Sequence, residues 1–115
     1  MMIVTDKQLE AFRQIEEEKF IAQTLDFVKE NCRVWTKDKK EEELKRYVDK
    51  QIQLFQFHDI KSKANIQDLI FANIIYNKGG KLTNKELDKL HEEKTNEIRR
   101  ARNLIIYLKK ENLKS

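Results

Sequence analysis

Three side chains, Cys32, His58 and His91, are the candidates for nucleophilic or metal chemistry, since the sequence has one cysteine and two histidines. A catalytic cysteine needs a histidine beside it and an acid behind that histidine, and a helical metal site places two histidines four residues apart. No catalytic motif surrounds Cys32, and the histidines lack that spacing. The residues therefore predict no enzymatic activity, no metal site and no cofactor, with Cys32 as a small core residue.

A second chemical feature is the arginine cluster Arg99, Arg100 and Arg102. Residues 1–80 carry 14 basic and 14 acidic side chains, whereas residues 81–115 carry ten basic and six acidic ones, so the net charge of +4 lies in the C-terminal third. Basic patches bind nucleic acids, anionic membrane surfaces or acidic proteins. A solvated helix face with acidic neighbours explains the same pattern without any partner.

Five consecutive large apolar residues, Leu104 to Leu108, follow the arginine cluster. A helix in a monomer buries about half of its circumference, so some of these five must point away from the core. We expect Ile106 and Tyr107 to form a small apolar patch with a basic rim, which is typical of partner-binding surfaces. The chain should dimerise through residues 98–108 or bind a partner protein by them.

Trp35 is the only tryptophan, and it lies in a basic connector next to Arg33. An aromatic ring among basic residues can stack on nucleic acid, close the end of a helix pair, or contact a partner protein. We take Trp35 and Arg33 as the second candidate contact after the C-terminal patch. Together, the predicted partner-binding residues are Arg99, Arg100, Arg102, Ile106, Tyr107, Trp35 and Arg33.

The elements that must position these residues are predicted to be helices, because the chain has no proline and is rich in good helix formers. Thr5 to Gln8 matches a capping box, so the first helix should begin near Asp6 and end near Cys32. Its apolar positions are expected to form one core face, namely Leu9, Phe12, Ile15, Ile21, Leu25, Val28 and Cys32. A second helix should follow a capping pattern at Asp38.

The third predicted helix, 66–78, is capped by Asn65 and is apolar nearly all round, which indicates a central position. Gly79 and Gly80 mark its end. Thr83 to Glu86 is another capping box, and a long fourth helix should span 84–112. We therefore predict a single all-α domain, 1–115, of four helices. The long N- and C-terminal helices should pair along their lengths, with the two shorter ones beside them.

The overall composition excludes other classes of protein. One cysteine rules out a disulfide framework, and too few cysteines and histidines are present for a zinc cluster. No apolar stretch at the start reads as a targeting signal, and the longest apolar runs are far shorter than a membrane span. We therefore expect a cytoplasmic protein with no membrane contact.

Several stretches of the chain also resemble a known group of proteins. The stretch from Ile3 to Phe12 (IVTDKQLEAF) resembles the opening of small helical proteins encoded beside effector, spike and PAAR-type genes of bacterial type VI secretion systems. The stretches 16–20 (EEEKF), 43–49 (ELKRYVD) and 66–70 (IQDLI) resemble that group in order and spacing. The chain departs at 77–81 (NKGGK), where the group often has an acidic loop with proline and tryptophan.

The resemblance covers residues 3–80 and, more loosely, the C-terminal helix. It implies an accessory protein that binds an effector toxin or a secretion component as adaptor, chaperone or immunity protein. We therefore expect a non-enzymatic protein-binding role, with a homodimer as an open alternative. A small basic nucleic-acid-binding regulator is the second interpretation, and it ranks below a protein partner because only four net positive charges are available.

Overall fold

The computed structural model describes residues 6–91 and 96–114. Those residues form helices throughout, joined by short turns, with no strand among them. The helices are α1 (Asp6–Asn31), α2 (Arg33–Thr36), α3 (Glu41–Phe57), α4 (Lys63–Asn77), α5 (Asn84–Asp88) and α6 (Glu97–Lys114), with a 3₁₀ turn at Lys89–His91. The predicted all-α class is confirmed. Within the described residues, no helix has the length and apolar character needed to cross a membrane.

Helix α4 is the centre of the fold, as its apolar circumference predicts. It contacts α1, α3 and α6, and it buries side chains on more than one face, listed here as Ile66, Leu69, Ile70, Ala72, Asn73 and Ile74. Its C-cap residue, Lys78, has a left-handed backbone, and Gly79 follows with φ of +71°. The glycine stop predicted after the third helix is therefore confirmed.

The predicted continuous helix 84–112 is wrong, and with it the count of four helices. Its sequence is divided between α5, the 3₁₀ turn and α6. Leu90 is fully buried, and its carbonyl accepts a hydrogen bond from Nε of Arg100 at 2.7 Å. Asn96 begins α6 by accepting the backbone N–H of Arg99 at 3.0 Å. In the sequence, residues 91–97 include no large apolar side chain that could hold a continuous helix against a core.

The predicted pairing of the N- and C-terminal helices is also wrong. α6 packs most extensively on α4, through Ala101, Leu104 and Leu108, whereas α1 packs on α3 and α4. The apolar side chains of α4 point in several directions, so this helix can separate α1 from α6 and cover an apolar stripe of each. Two helices that both need an apolar neighbour therefore share α4, and no extensive contact joins them to each other.

The helix caps agree with the sequence in part. The capping box from Thr83 to Glu86 is present, with both reciprocal hydrogen bonds. The N-cap of α3 is Lys40, which has no side-chain cap, and that of α4 is Ser62, so the caps predicted at Asp38 and Asn65 are wrong. The cap predicted at Thr5 lies outside the described residues.

The first half of α1 does not join the core. From Asp6 to Lys19 no side chain is buried, and Leu9, Phe12 and Ile15 are 45%, 63% and 61% exposed. The prediction that these three continue the core face of α1 is wrong. We call residues 6–19 the N-terminal arm.

Candidate partner-binding surfaces

The outer face of α6 carries the first predicted binding residues. Ile98, Arg102 and Ile106 follow each other at four-residue steps, so they lie along one side of the helix, opposite the buried Leu104 and Leu108. Ile98 is 52% exposed and Ile106 is 50% exposed. We call Ile98, Arg99, Arg102 and Ile106 the α6 face. It combines apolar and guanidinium groups, which is the make-up of many protein interfaces.

Tyr107 lies beside this face and lines a shallow pocket. The pocket has a volume of about 190 Å³ and is also lined by Lys89, Asn103, Ile106 and Lys110. The Lys89 ammonium sits 4.9 Å from the centre of the Tyr107 ring. The pocket therefore has an apolar wall with lysines around it, which suits an apolar side chain flanked by carboxylates.

Arg100, the third arginine of the predicted cluster, turns back towards the chain. Its guanidinium donates to the carbonyls of His58 at 2.7 Å and Asp59 at 3.3 Å, in addition to Leu90 at 2.7 Å. Arg100 thereby joins the end of α3 and the 3₁₀ turn to α6. Three of its N–H groups are used within the chain, whereas Arg99 and Arg102 lie exposed on the outside.

Glu97 makes a second joint at the start of α6. Its carboxylate accepts hydrogen bonds from the backbone N–H groups of Lys61 and Ser62, the latter at 3.0 Å, and from the Asn65 side chain at 2.6 Å. Burial alone raises the Glu97 pKa, but these donors and the nearby Arg100 outweigh it and hold the pKa below its usual range. The first turn of α6 is thus fixed to the first turn of α4.

Trp35, the second candidate contact, closes a turn of its own chain. Its indole N–H donates to the Lys78 carbonyl at 3.0 Å, and its ring lies 4.9 Å from that of Tyr47. A Cβ at Gly79 would lie only 2.5 Å from the Trp35 ring, so this approach requires glycine. Trp35 therefore packs on the turn after α4, which agrees with the interpretation that this ring closes the end of a helix pair.

The Tyr47 hydroxyl continues this contact into the core. It accepts a hydrogen bond from the side chain of the fully buried Asn73 at 2.9 Å, and Asn73 also donates to the Gly80 carbonyl at 3.1 Å. Burial raises the pKa of Tyr47 to about 12, although the Asn73 hydrogen bond opposes the rise. Tyr47 of α3 and Asn73 of α4 thus link the glycine turn to the core.

An open groove borders the outer side of Trp35. It has a volume of about 470 Å³, and Arg33, Val34 and Ile75 line it together with Trp35 and Cys32. Val34 is 89% exposed and Ile75 is 45% exposed. Arg33 and Trp35 are therefore brought together at an apolar surface, but this groove lies at the α1–α2 junction and is separate from the α6 face.

The groups considered for catalysis are not arranged together. Cys32 is buried, and burial raises the pKa of its thiol, which disfavours the reactive thiolate. Nδ1 of His58 lies 2.9 Å from Nε2 of His91, and the two residues are 33 positions apart in the chain, so no local spacing indicates this contact. Across residues 6–91 and 96–114, no three histidine, cysteine or carboxylate side chains are grouped to hold a metal ion.

The N-terminal arm is the surface that the sequence patterns missed. Leu9, Phe12 and Ile15 advance by three residues each, so their stripe turns steadily around the helix. Its centre lies roughly 150° around α1 from the centre of the buried residues Phe20 to Val28, at 100° per residue. This change of face is visible in the sequence once each apolar position is given its helical angle.

The chain has no match among known proteins that passes comparison: no protein-family model, no curated protein and no solved structure matches it. The likeness to type VI secretion accessory proteins rests on the quoted sequence stretches alone.

Proposed function

We propose that this protein is a non-enzymatic protein-binding module that docks through the α6 face. The observation that carries the proposal is the pair of half-exposed isoleucines, Ile98 and Ile106, on either side of Arg102. Large apolar side chains on a basic helix face cost solubility and contribute nothing to the core, whereas a partner that covers them gains from their burial. Arg102 then supplies directional contacts to carboxylates of the partner.

The biological setting proposed for this binding is a bacterial type VI secretion cluster. The partner would be an effector toxin or a secretion component, and the protein would act as adaptor, chaperone or immunity protein. Support for this setting is the resemblance of residues 3–80 to accessory proteins of such clusters, together with the exposed binding face.

The experiment is co-purification of the tagged full chain from the bacterium that encodes it, followed by calorimetric titration of the protein recovered. We expect Ile98→Glu with Ile106→Glu to weaken binding of that protein at least about tenfold. The matched control is Ile75→Glu, which also places a charge on a half-exposed isoleucine but lies in the groove by Trp35. Equal affinity of the double variant and the parent would exclude the α6 face as the site.

A nucleic-acid-binding regulator is the second candidate, favoured by Arg99, Arg102, Lys109 and Lys110, which are all exposed on α6. Binding to phosphates releases counterions, so its affinity must fall steeply with salt. Gel shifts on random duplex DNA at low and physiological salt separate the two functions. Micromolar binding that persists at physiological salt would favour the regulator, whereas retention only at low salt fits the protein-binding module.

A further inference from the structure

The N-terminal arm exposes an apolar stripe that no other part of the described chain, 6–91 and 96–114, buries. Leu9, Phe12 and Ile15 are 45% to 63% exposed, whereas Phe20, on the same helix, is 4% exposed. The centre of the stripe is turned away from the buried face of α1, although Leu9 lies only about 20° around the helix from Phe20. A second molecule that contacts the stripe would bury it.

The charge of the arm indicates what kind of surface can cover it. Residues 6–19 carry five acidic and three basic side chains, and three of the acids are consecutive, Glu16, Glu17 and Glu18. These glutamates lie in the middle of a helix, where the helix dipole does not account for them. Two arms packed against each other would bring like net charges together, so the arm is matched to a basic surface instead.

A surface with these properties exists on the same chain. The segment of α6 from Glu97 to Glu111 exposes four basic side chains and one acidic side chain, besides Ile98 and Ile106. Ile98 and Ile106 are about 12 Å apart along α6, and Leu9 and Ile15 are about 9 Å apart along α1, at 1.5 Å per residue. The two stripes therefore agree in length as well as in charge.

These observations point to contact between two copies. Within one chain, α1 packs on α3 and α4 whereas α6 packs most extensively on α4, and no extensive contact joins α1 to α6 among the described helices. We propose that the N-terminal arm of one copy lies on the α6 face of a second copy, and that the second arm returns the contact. The proposal rests on the proposed function, because it names the occupant of the same α6 face when no other partner is present.

The reciprocal arrangement has two physical consequences. In a closed pair, the arm and the α6 face of each copy are both covered, so assembly stops at a dimer instead of growing into a filament. The pair also buries the contact area twice, which matters because stable interfaces bury about 1,200–2,000 Å² in total. A foreign partner that binds the α6 face must displace an arm, so self-association and partner binding compete.

Light scattering after size exclusion measures the mass of the purified full chain and of two variants. The parent should be a dimer at about 100 µM and dissociate on dilution. Phe12→Glu with Ile15→Glu removes the arm stripe, and Ile98→Glu with Ile106→Glu removes the α6 stripe. Each double variant should be monomeric and keep the helical circular dichroism of the parent, because all four side chains are exposed.

Mixing the two variants is the decisive step. One variant retains an intact α6 face and the other an intact arm, so a single arm-to-face contact can form between them. We expect a one-to-one complex with weaker affinity than the parent dimer. A parent that is monomeric at about 100 µM would overturn the proposal. Two monomeric variants that form no complex on mixing would also overturn it. Mixing can restore an arm-to-face contact, but it cannot restore arm-to-arm or face-to-face pairing.

The same variants distinguish failure of this inference from failure of the proposed function. If the parent is monomeric but the α6 double variant loses its recovered partner protein, the α6 face binds partners and the arm contact is wrong. If mixing restores the complex but the partner binds the α6 double variant normally, the arm contact stands and the partner site lies elsewhere.

Discussion

Helix α4 and the N-terminal arm carry similar side chains and end in opposite environments. Both have large apolar residues at a helical spacing, which is three residues throughout in the arm. In α4, Ile66, Leu69 and Ile70 are fully buried, whereas no side chain of the arm is buried. Both segments are helical, so the difference in burial arises from what lies around them.

The difference teaches that an apolar stripe becomes core only where other elements offer apolar surface to it. Helix α4 is enclosed because α1, α3 and α6 each turn a stripe towards it. Phe20 is buried whereas Phe12, on the same helix, is 63% exposed, so the apolar surface that covers Phe20 does not extend to Phe12. A stripe left over in this way is free to take part in an intermolecular contact.

The comparison is tested most strongly inside α4. Ile74→Asp places a charge at a site that is 3% exposed, and we expect a loss of at least about 3 kcal/mol in the free energy of unfolding. The matched control is Ile75→Asp, one residue along and 45% exposed, with an expected loss of less than about 1 kcal/mol. Urea denaturation measures both. Equal losses would mean that α4 is not enclosed as described.

The polar joint between α6 and the end of α3 should give the next largest effect. Arg100→Met removes the donors to the carbonyls of His58, Asp59 and Leu90, and we expect a loss of about 2–4 kcal/mol in denaturant unfolding. Arg102→Met is the control, because it removes an exposed guanidinium from the same helix and should change stability by less than about 0.5 kcal/mol. If the two variants unfold alike, Arg100 is a surface residue and the joint is wrong.

The parts of the fold that the sequence predicts are those determined by neighbouring residues. The circumference of α4, the glycine stop at Gly79 and the capping box at Thr83 each depend on a few consecutive positions, and each is confirmed. The exposure of Ile106 also follows from counting apolar residues around one helix.

The parts that could not be predicted depend on contacts between distant residues. Arg100 and Glu97 read as surface charges in the sequence, but they bond to groups more than 30 positions away at the ends of α3 and α4. These bonds fix the start of α6 at Glu97. α6 is therefore a separate helix and not the continuation of the helix predicted from residue 84. Helical periodicity reports which face is apolar and not which element will cover it, so the arm was assigned to the core.

The contact between His58 and His91 predicts that the stability of the packed helices depends on pH. Burial, with a smaller contribution from His91, lowers the pKa of His58 from its ordinary value of 6.5, while Asp88 opposes this. Since the unfolded chain takes up the proton first, stability is complete above about pH 6.5 and falls as the pH drops through the lowered value.

Urea denaturation between pH 5 and 8 measures this loss. We expect His58→Gln to flatten the decline, and His91→Gln to reduce it because it removes the neighbouring imidazole that helps to lower the His58 pKa. The range stays above the lowered pKa of Glu97, whose ordinary value is 4.5, so that carboxylate remains ionised in the folded state. A parent whose stability is constant from pH 8 to 5 would contradict the prediction.

The smallest expected effect on stability is that of a substitution in the arm, and it compares two phenylalanines of one helix directly. Phe12 and Phe20 stand on one helix eight residues apart, and Phe12 is 63% exposed while Phe20 is 4% exposed. Phe20→Ala should lower the free energy of unfolding by about 3 kcal/mol, since it removes a buried ring and leaves a cavity. Phe12→Ala should change it by less than about 0.5 kcal/mol when the chain is dilute enough to be monomeric, because water already contacts that ring in the folded state. Repeating the measurement at increasing protein concentration tests the arm contact, since only the parent gains stability from association. A loss of several kcal/mol for Phe12→Ala in the dilute monomer would mean that the arm packs on its own bundle.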